Sequence, residues 1–254
     1  MSALRELNEH SETIFTVLTG EGRFFSAGAD VKAAVNQKEV QYATPAEKKI
    51  AYMESQAKVL ELLRSMIDHK KVLVLALNGP AVGGGATWFP GVADIVLATE
   101  DTYLQAPFSA LGLVPEYGSA TQFFQLIGPR RANDFLMFGS KLMVKEMKDL
   151  GLVNRIFTKD NFHAHVITFL EEQLSVNDGE SMVEAKRLQN EPLRKDRLSA
   201  LYESFDALAE RITIDAHKKR FEQKNQVLGG KLTNLGLASL LTLSAAVSRT
   251  SAKL

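Results

Sequence analysis

The chain contains no cysteine, which excludes disulfides, thiolate nucleophiles and metal sites built from cysteine. It also has no excess charge of either sign, because 30 basic residues balance 30 acidic ones. No net field therefore attracts nucleic acid or an acidic membrane, although local basic patches remain possible. Long hydrophobic runs are missing too, since the longest mostly apolar stretch, Leu235 to Val247, falls short of the roughly 20 residues that a membrane helix needs. We therefore expect a soluble intracellular protein without a membrane span.

What is present fits an ordinary globular protein. Apolar residues make up 45% and charged residues 24% of the 254 positions, so the chain fits one large domain, or one domain with an appendage. Branched apolar segments such as Thr13–Leu18 and Ala93–Thr99 alternate with helical patterns, one of which begins at Thr44 and runs to about His69. This alternation predicts an α/β fold with at least partly parallel strands. Later helices are predicted near 162–175, 180–189, 196–212 and 214–228.

The central stretch of the chain is Val72 to Ala86, VLVLALNGPAVGGGA. Its branched apolar run predicts a strand buried on both faces, and Gly83-Gly84-Gly85 follow just before a helical-looking segment. Glycines at such a switch let a ligand's polar atom approach backbone N–H groups, and a helix N-terminus there favours a developing anion. A flexible loop or close backbone packing explains the glycines equally well.

A second loop of small residues, Ser26 to Val31, follows two phenylalanines. Small residues in a row indicate that something packs against the main chain. A tight strand-to-helix connection explains them as well, in which Gly28 supplies an unusual φ and Asp30 caps the following helix.

The third informative segment is Pro107 to Ser119, PFSALGLVPEYGS, whose single charge is Glu116. A carboxylate in an apolar pocket has a raised pKa and can act as a base at neutral pH. A surface position, or the N-cap of the helix that begins near Ser119, is the alternative. His163 and His165 are two residues apart on a predicted helix and so face different directions, and we expect no metal site there.

The three segments FFSAGAD, NGPAVGGGA and PFSALGLVPEYGS, in this order, resemble the enoyl-CoA hydratase/isomerase (crotonase) superfamily. The resemblance extends over about residues 13 to 157 and implies an α/β fold of the ββα-spiral type with a C-terminal helical region. It implies an α/β core over residues 1–160 and a helical, oligomerising region over residues 161–254. The further strands and helix with which the family normally begins are missing or replaced before Thr13. Pro90 falls inside the helix expected after the glycines, so that helix should be short or kinked.

The resemblance also implies a site. In the family, backbone N–H groups of two glycine-containing loops hold the thioester oxygen of an acyl-CoA, and these donors correspond to Ala29 and Gly84. The loop that would lie along the CoA consists of Ala27, Gly28, Ala29, Asp30 and Val31. Hydratases of the family use two glutamates, at whose positions this chain has Thr87 and Phe108. Glu116 stands where peroxisomal Δ3,Δ2-enoyl-CoA isomerases carry their one catalytic glutamate.

The activity so implied is the conversion of a 3-enoyl-CoA to 2-trans-enoyl-CoA in the β-oxidation of unsaturated fatty acids. CoA is part of the substrate, and no cofactor or metal is expected. Two alternatives stay open. One is another reaction on the same scaffold, hydration or dienoyl-CoA isomerisation, and the other is a non-catalytic acyl-CoA-binding protein.

The remaining expectations concern partners and location. The resemblance implies a homotrimer or homohexamer, and the apolar helical faces of the C-terminal region would either form its interfaces or belong to the intramolecular core. These faces include Leu198, Leu201, Phe205 and Leu208. The sequence ends in Ala252-Lys253-Leu254, a close variant of the Ser-Lys-Leu peroxisomal signal. It predicts recognition by the peroxisomal import receptor and a location in the peroxisomal matrix.

Overall fold

The computed structural model describes residues 2–29 and 40–220. The strands are β1 (Phe15–Thr19), β2 (Val72–Leu77), β3 (Ala81–Val82), β4 (Ile95–Thr99), β5 (Tyr103–Gln105), β6 (Leu142–Met143) and β7 (Arg155–Phe157). The helices are α1 (Ser2–Glu9), α2 (Pro45–Ile67), α3 (Ser119–Ile127), α4 (Pro129–Phe138), α5 (Val144–Asp149), α6 (Phe162–Val176) and α7 (Gly179–Thr213). Asp30, Val31, the end of the helix predicted near 214–228 and the terminal tripeptide lie outside the described residues.

The main sheet is parallel, with the strand order β1-β2-β4-β7. Its central strand β2 is buried along its whole length, as its unbroken apolar sequence predicts. A smaller sheet has the order β3-β5-β6, in which β3 and β5 are parallel and β6 is antiparallel. The predicted α/β fold with parallel pairing and a helical C-terminal region is confirmed.

Helices cover both faces of β2 because its side chains point alternately to opposite sides. On one face Val72, Val74 and Ala76 pack with α6. On the other face Leu73 packs with α2 and α7. Further along this second face, Leu75 and Leu77 pack with α3, α4 and α5. The carboxyl end of β2, from which the glycine segment leaves, is therefore held rigidly between two layers of helices.

The start of α2 is the one that the sequence predicts. The Thr44 hydroxyl oxygen accepts a hydrogen bond from the Glu47 N–H at 3.1 Å, and the Glu47 carboxylate accepts one from the Ala43 N–H at 2.8 Å. This arrangement is a variant of the capping box, in which the Glu47 carboxylate accepts from the residue before the N-cap, and Pro45 lies in the first turn. The helix ends at Ile67, two residues before the predicted end at His69.

The separate helices predicted near 180–189 and 196–212 are wrong, because α7 is one helix that continues through Pro192. A proline in a helix interior removes a hydrogen bond and costs about 3 kcal/mol. Ion pairs on both sides of it anchor the helix, from Lys186 to Asp94 at 2.7 Å and from Arg194 to Asp68 at 2.6 Å. In the described ranges, no helix is both long and apolar enough to cross a membrane.

The apolar face of α7 belongs to the core of the same chain. Leu201, Phe205 and Leu208 are buried against α2 and the loop before α3, and Leu198 packs against the same cluster. Of the two alternatives for this face, intramolecular packing is the one that the structure shows.

Candidate active site

The loop after β1 and the glycine segment after β2 lie side by side. β1 and β2 are parallel neighbours, so both loops leave the sheet at the same edge. Ser26 forms an isolated parallel bridge with Ala81. The Phe25 N–H donates to the Pro80 carbonyl at 3.0 Å, and the Val82 N–H donates to the Ser26 carbonyl at 2.9 Å. Two of the three segments singled out in the sequence thus form one surface.

The glycines of these loops permit this close approach. Gly28 has a φ of 87°, and a Cβ added there would lie 3.4 Å from the Val82 carbonyl oxygen. A Cβ on Gly85 would come within 2.2 Å of the Ser26 hydroxyl oxygen. Close backbone packing therefore accounts for part of the glycine pattern. The loop also keeps an accessible rim, which consists of Ala27, Gly28 and Ala29.

The segment after the triplet is short, as Pro90 predicts. Gly83–Ala86 form a single 3₁₀ turn in place of an α-helix, and the chain continues in turns to Gly91 and Val92. Trp88 lies in this turn region, and its backbone N–H donates to the Gly84 carbonyl at 2.8 Å.

Glu116 lies in the loop before α3, where the chain turns sharply. Tyr117 has a φ of 47° and Gly118 one of 85°, both in the left-handed region. Gly118 is the N-cap of α3, so Glu116 does not cap that helix. Its carboxyl is half-buried, and this burial raises its pKa to about 7 because the charged form loses solvation.

Trp88 connects Glu116 to the glycine segment. Its indole Nε1–H donates to Glu116 Oε2 at 3.1 Å. The same ring covers Gly84, because a Cβ there would lie 2.3 Å from Trp88 Cζ2. The structure thus joins the third segment to the other two. Sequence reasoning missed Trp88, although it is the chain's single tryptophan and lies four residues after Gly84.

Aromatic side chains form the wall around the carboxyl. The Tyr117 ring meets Trp88 edge-on at 5.1 Å and stacks on Phe205 of α7 at 5.9 Å, and its hydroxyl donates to Gln56 at 3.2 Å. Burial, and secondarily the nearby Glu116 charge, raises the pKa of Tyr52 in α2. Burial likewise raises the pKa of Tyr117, so both phenols are neutral at physiological pH.

The positions of the two hydratase glutamates carry no acid or base here. Thr87 is buried and its hydroxyl donates to the Gly84 carbonyl at 3.2 Å. Phe108 is buried in the core beneath α3 and α4. Among residues 2–29 and 40–220, no group of three or more histidine, aspartate and glutamate side chains is placed to hold a metal ion. Among the described residues, the site thus presents one half-buried carboxyl, which Trp88 joins to the glycine segment.

Comparison with known proteins assigns the family. Residues 1–223 match the family model described as enoyl-CoA hydratase/isomerase. A Δ(3,5)-Δ(2,4)-dienoyl-CoA isomerase of Pyricularia oryzae is 33% identical over 204 residues, which cover 74% of this chain and 72% of that relative. The peroxisomal enoyl-CoA delta isomerase 3 of Mus musculus is 33% identical over 205 residues, covering 80% of this chain but 59% of that protein, less than two thirds of its length. The crystal structure of an enoyl-CoA hydratase/isomerase from Pseudoalteromonas atlantica gives a TM-score of 0.73 at 25% identity and covers 89% of this chain and 84% of its own. The chain therefore belongs to the enoyl-CoA hydratase/isomerase (crotonase) family.

Proposed function

We propose that the protein is an isomerase that converts a 3-enoyl-CoA into the conjugated 2-trans-enoyl-CoA. The observation that carries this proposal is the Glu116 carboxyl, whose pKa is about 7 and which Trp88 joins to the glycine segment. Threonine and phenylalanine at the hydratase glutamate positions support isomerisation over hydration. The isomerase names of the two relatives support the same reaction class.

The chemistry requires a base and an anion-stabilising pair of donors. The C2 hydrogens of a 3-enoyl thioester are acidic because the resulting dienolate spreads its charge onto the thioester oxygen. The N–H groups of Ala29 and Gly84 would stabilise that charge, and one such donor contributes about 3–4 kcal/mol. The Ala27–Ala29 rim would hold the CoA part of the substrate.

Glu116 would act as the only proton carrier. Its carboxylate takes the proton from C2, the double bond moves, and the carboxyl returns the proton at C4 on the same face of a bent acyl chain. The base is regenerated in each cycle, so the reaction needs neither a metal nor a redox cofactor. A base with a pKa near 7 is well matched to neutral pH, and we expect an acid limb near pH 7 in the rate profile.

The test uses the absorbance of the conjugated thioester. Purified protein is incubated with 3-hexenoyl-CoA, and formation of 2-hexenoyl-CoA is followed in the ultraviolet. The same preparation is also assayed with 2-hexenoyl-CoA, to measure hydration, and with a 3,5-dienoyl-CoA, to measure dienoyl-CoA isomerisation. We expect turnover of 3-hexenoyl-CoA to dominate. Faster turnover of the dienoyl substrate would replace the proposed reaction with that of the Pyricularia relative. Binding of CoA esters without turnover would support the non-catalytic alternative.

We further propose that the protein works in peroxisomal β-oxidation of unsaturated fatty acids. The mouse relative is named as peroxisomal, and the Ala252-Lys253-Leu254 tripeptide fits an import signal. The test is a fluorescent protein fused to the N-terminus, with and without this tripeptide. We expect punctate peroxisomal signal that becomes diffuse on truncation. Diffuse signal from the intact fusion would contradict the proposal.

A further inference from the structure

Trp88 has no role in the proposed mechanism, yet it contacts both parts of the site. We propose that Trp88 is the positioning residue of Glu116, whose indole N–H holds the carboxylate beside the glycine segment and in its ionised form. This inference rests on the proposed function only in so far as Glu116 is the base.

Four contacts fix Trp88 in place. The backbone N–H of Trp88 donates to the Gly84 carbonyl. The indole ring lies on Gly84, where an added Cβ would be 2.3 Å from Cζ2 and 2.4 Å from Cε2. Tyr117 meets the ring edge-on at 5.1 Å, and Phe89 does so at 6.2 Å. A ring held on these sides presents its Nε1–H in one direction, which is that of Glu116 Oε2.

The hydrogen bond has a defined electrostatic effect. An indole N–H is a donor only and does not titrate in the physiological range, so it favours the acceptor's charged form at every pH. Among the described residues, the Glu116 charge acts on the phenols of Tyr52 in α2 and of Tyr117, both neutral, and α7 places the apolar Phe205 against the Tyr117 ring. Trp88 is therefore the group that opposes the effect of burial on this carboxyl.

The same geometry gives Gly84 a second role. The ring can lie on residue 84 only if that residue has no side chain, because any Cβ would overlap the indole. The glycine then serves both the proposed N–H donation and the placement of the base.

The first test is the pH profile of kcat/KM for Trp88→Phe, with Phe157→Leu as the control. Phe at position 88 keeps an aromatic ring and removes the N–H. Phe157 packs with α6 on the opposite face of the sheet, so its replacement disturbs packing and leaves the contacts of Trp88 in place. We expect the acid limb of Trp88→Phe to move up by about one pH unit, the shift that one hydrogen bond to a charged group supports. The rate would fall about tenfold at pH 6 and recover near pH 9. An equal loss at every pH, or the same shift in Phe157→Leu, would overturn the proposal.

The second test needs neither turnover nor a variant at position 88. Trp88 is the chain's single tryptophan, so fluorescence excited at the long-wavelength edge, where tyrosine does not absorb, reports on this indole alone. We expect the wild-type emission to change with a midpoint near pH 7 and the change to vanish in Glu116→Gln. Emission that titrates identically in both proteins would overturn the proposal, whether or not Trp88→Phe folds. A titrating wild type without isomerase activity would contradict the proposed function and leave the Trp88–Glu116 contact supported.

Discussion

At the scale of single residues, the site depends on one carboxyl held where its charge is costly. Glu116→Gln keeps the shape of the side chain and an oxygen that can accept from Trp88, while it removes the base. We expect the isomerase rate to fall by at least about 10²-fold, the low end for loss of a positioned base, with CoA binding nearly unchanged. Steady-state kinetics with 3-hexenoyl-CoA and CoA-binding calorimetry measure the two effects. Substantial turnover in a clean preparation of the variant would show that the base is elsewhere.

The same substitution should stabilise the fold. Glu116 has a pKa of about 7 in the folded chain and an ordinary value of 4.5, so between these values the folded state binds more protons than the unfolded state. The free energy of unfolding contributed by this group therefore falls as pH rises through that window. Above pH 7 we expect Glu116→Gln to be more stable than the wild type by about 1–2 kcal/mol, less than the full shift implies because the carboxyl is partly exposed. Urea denaturation at pH 5 and pH 8 measures this, and a difference that does not grow with pH would contradict it.

Position 84 has no room for even the methyl group of alanine. A methyl group there overlaps the Trp88 ring, so Gly84→Ala should displace the indole from Glu116, and Gly84→Val should do so more strongly and obstruct the thioester as well. We expect Gly84→Ala to lower kcat/KM by at least about tenfold and to change the emission of Trp88, with solubility retained. Gly22→Ala is the control for a glycine-to-alanine change without a clash, because a Cβ there meets nothing within 4 Å; its φ of 79° adds a backbone strain that Gly84, which has no positive φ, does not carry. Normal turnover and emission in Gly84→Ala would contradict both roles of this glycine.

The sequence reveals some of these residues and hides others for physical reasons. Glu116 stands out because it is one charge in an apolar segment, and the glycines stand out because few other residues fit their backbone geometry. The functional roles of Ala29 and Gly84 come from the family resemblance and stay predictions. The contact between Trp88 and Glu116 could not be predicted from the sequence. It depends on how the turns after Gly83–Ala86 fold back, and local sequence patterns do not determine the distance between residues 28 positions apart.

At the scale of secondary-structure elements, α7 is attached to the sheet by a buried ion pair. Lys186 donates to the Asp94 carboxylate at 2.7 Å and to the Lys71 carbonyl at 2.6 Å, and Asp94 also accepts from the Leu73 N–H at 2.7 Å. Burial lowers the pKa of Lys186, so its charge depends on this partner. The ion pair joins the N-terminal part of α7 to Asp94, the residue directly before β4.

Removing either partner leaves a buried charge unpaired. We expect Asp94→Asn and Lys186→Met each to lower the free energy of unfolding by about 3–5 kcal/mol. The double variant should lose less than the sum, because neither charge is then left alone. Urea unfolding of the four proteins of this cycle measures the coupling, and strictly additive losses would contradict the prediction.

The two long helices show which elements the sequence can predict. The beginning of α2 follows from Thr44, Pro45 and Glu47, which contact one another within one turn. On both sides of Pro192, α7 is held by ion pairs to Asp94 and Asp68, which are distant from it in sequence. Local patterns therefore predict the first and mispredict the second.

At the scale of the whole molecule, the site is complete only because distant parts of the chain meet. The parallel sheet places both glycine loops at one edge, while α7 supplies Phe205 beneath Tyr117 and Ser204, whose hydroxyl accepts from the Gly118 N–H. The turn that carries Glu116 is thus fixed by the helical region. The division of the chain into residues 1–160 and 161–254 stays a prediction, but the carboxyl depends on contacts from both sides of that boundary.

Copies of the chain are expected to associate through an exposed apolar surface. With Leu201, Phe205 and Leu208 of α7 buried inside the chain, one exposed apolar surface among the described residues lies on α3 and α4, which pack on each other. Phe124 is 54% exposed, Met137 55% and Phe138 79%, and large apolar groups so placed on neighbouring helices are typical of interaction surfaces. Since the family resemblance implies a homotrimer or homohexamer, we predict that a second copy of the chain covers this surface.

Sedimentation equilibrium at micromolar concentration tests this association. We expect the wild type to sediment as an oligomer and the double variant Met137→Glu/Phe138→Glu to sediment as a folded monomer, because two carboxylates would have to be desolvated at the interface. Leu188→Glu is the matched control, since Leu188 is an exposed apolar residue on α7 at 59% exposure and precedes by about three helical turns the Ala200–Leu201 segment that meets the start of α3. It should leave the mass unchanged. A monomeric wild type would contradict the association itself, and an oligomeric double variant would show that the copies meet through another surface.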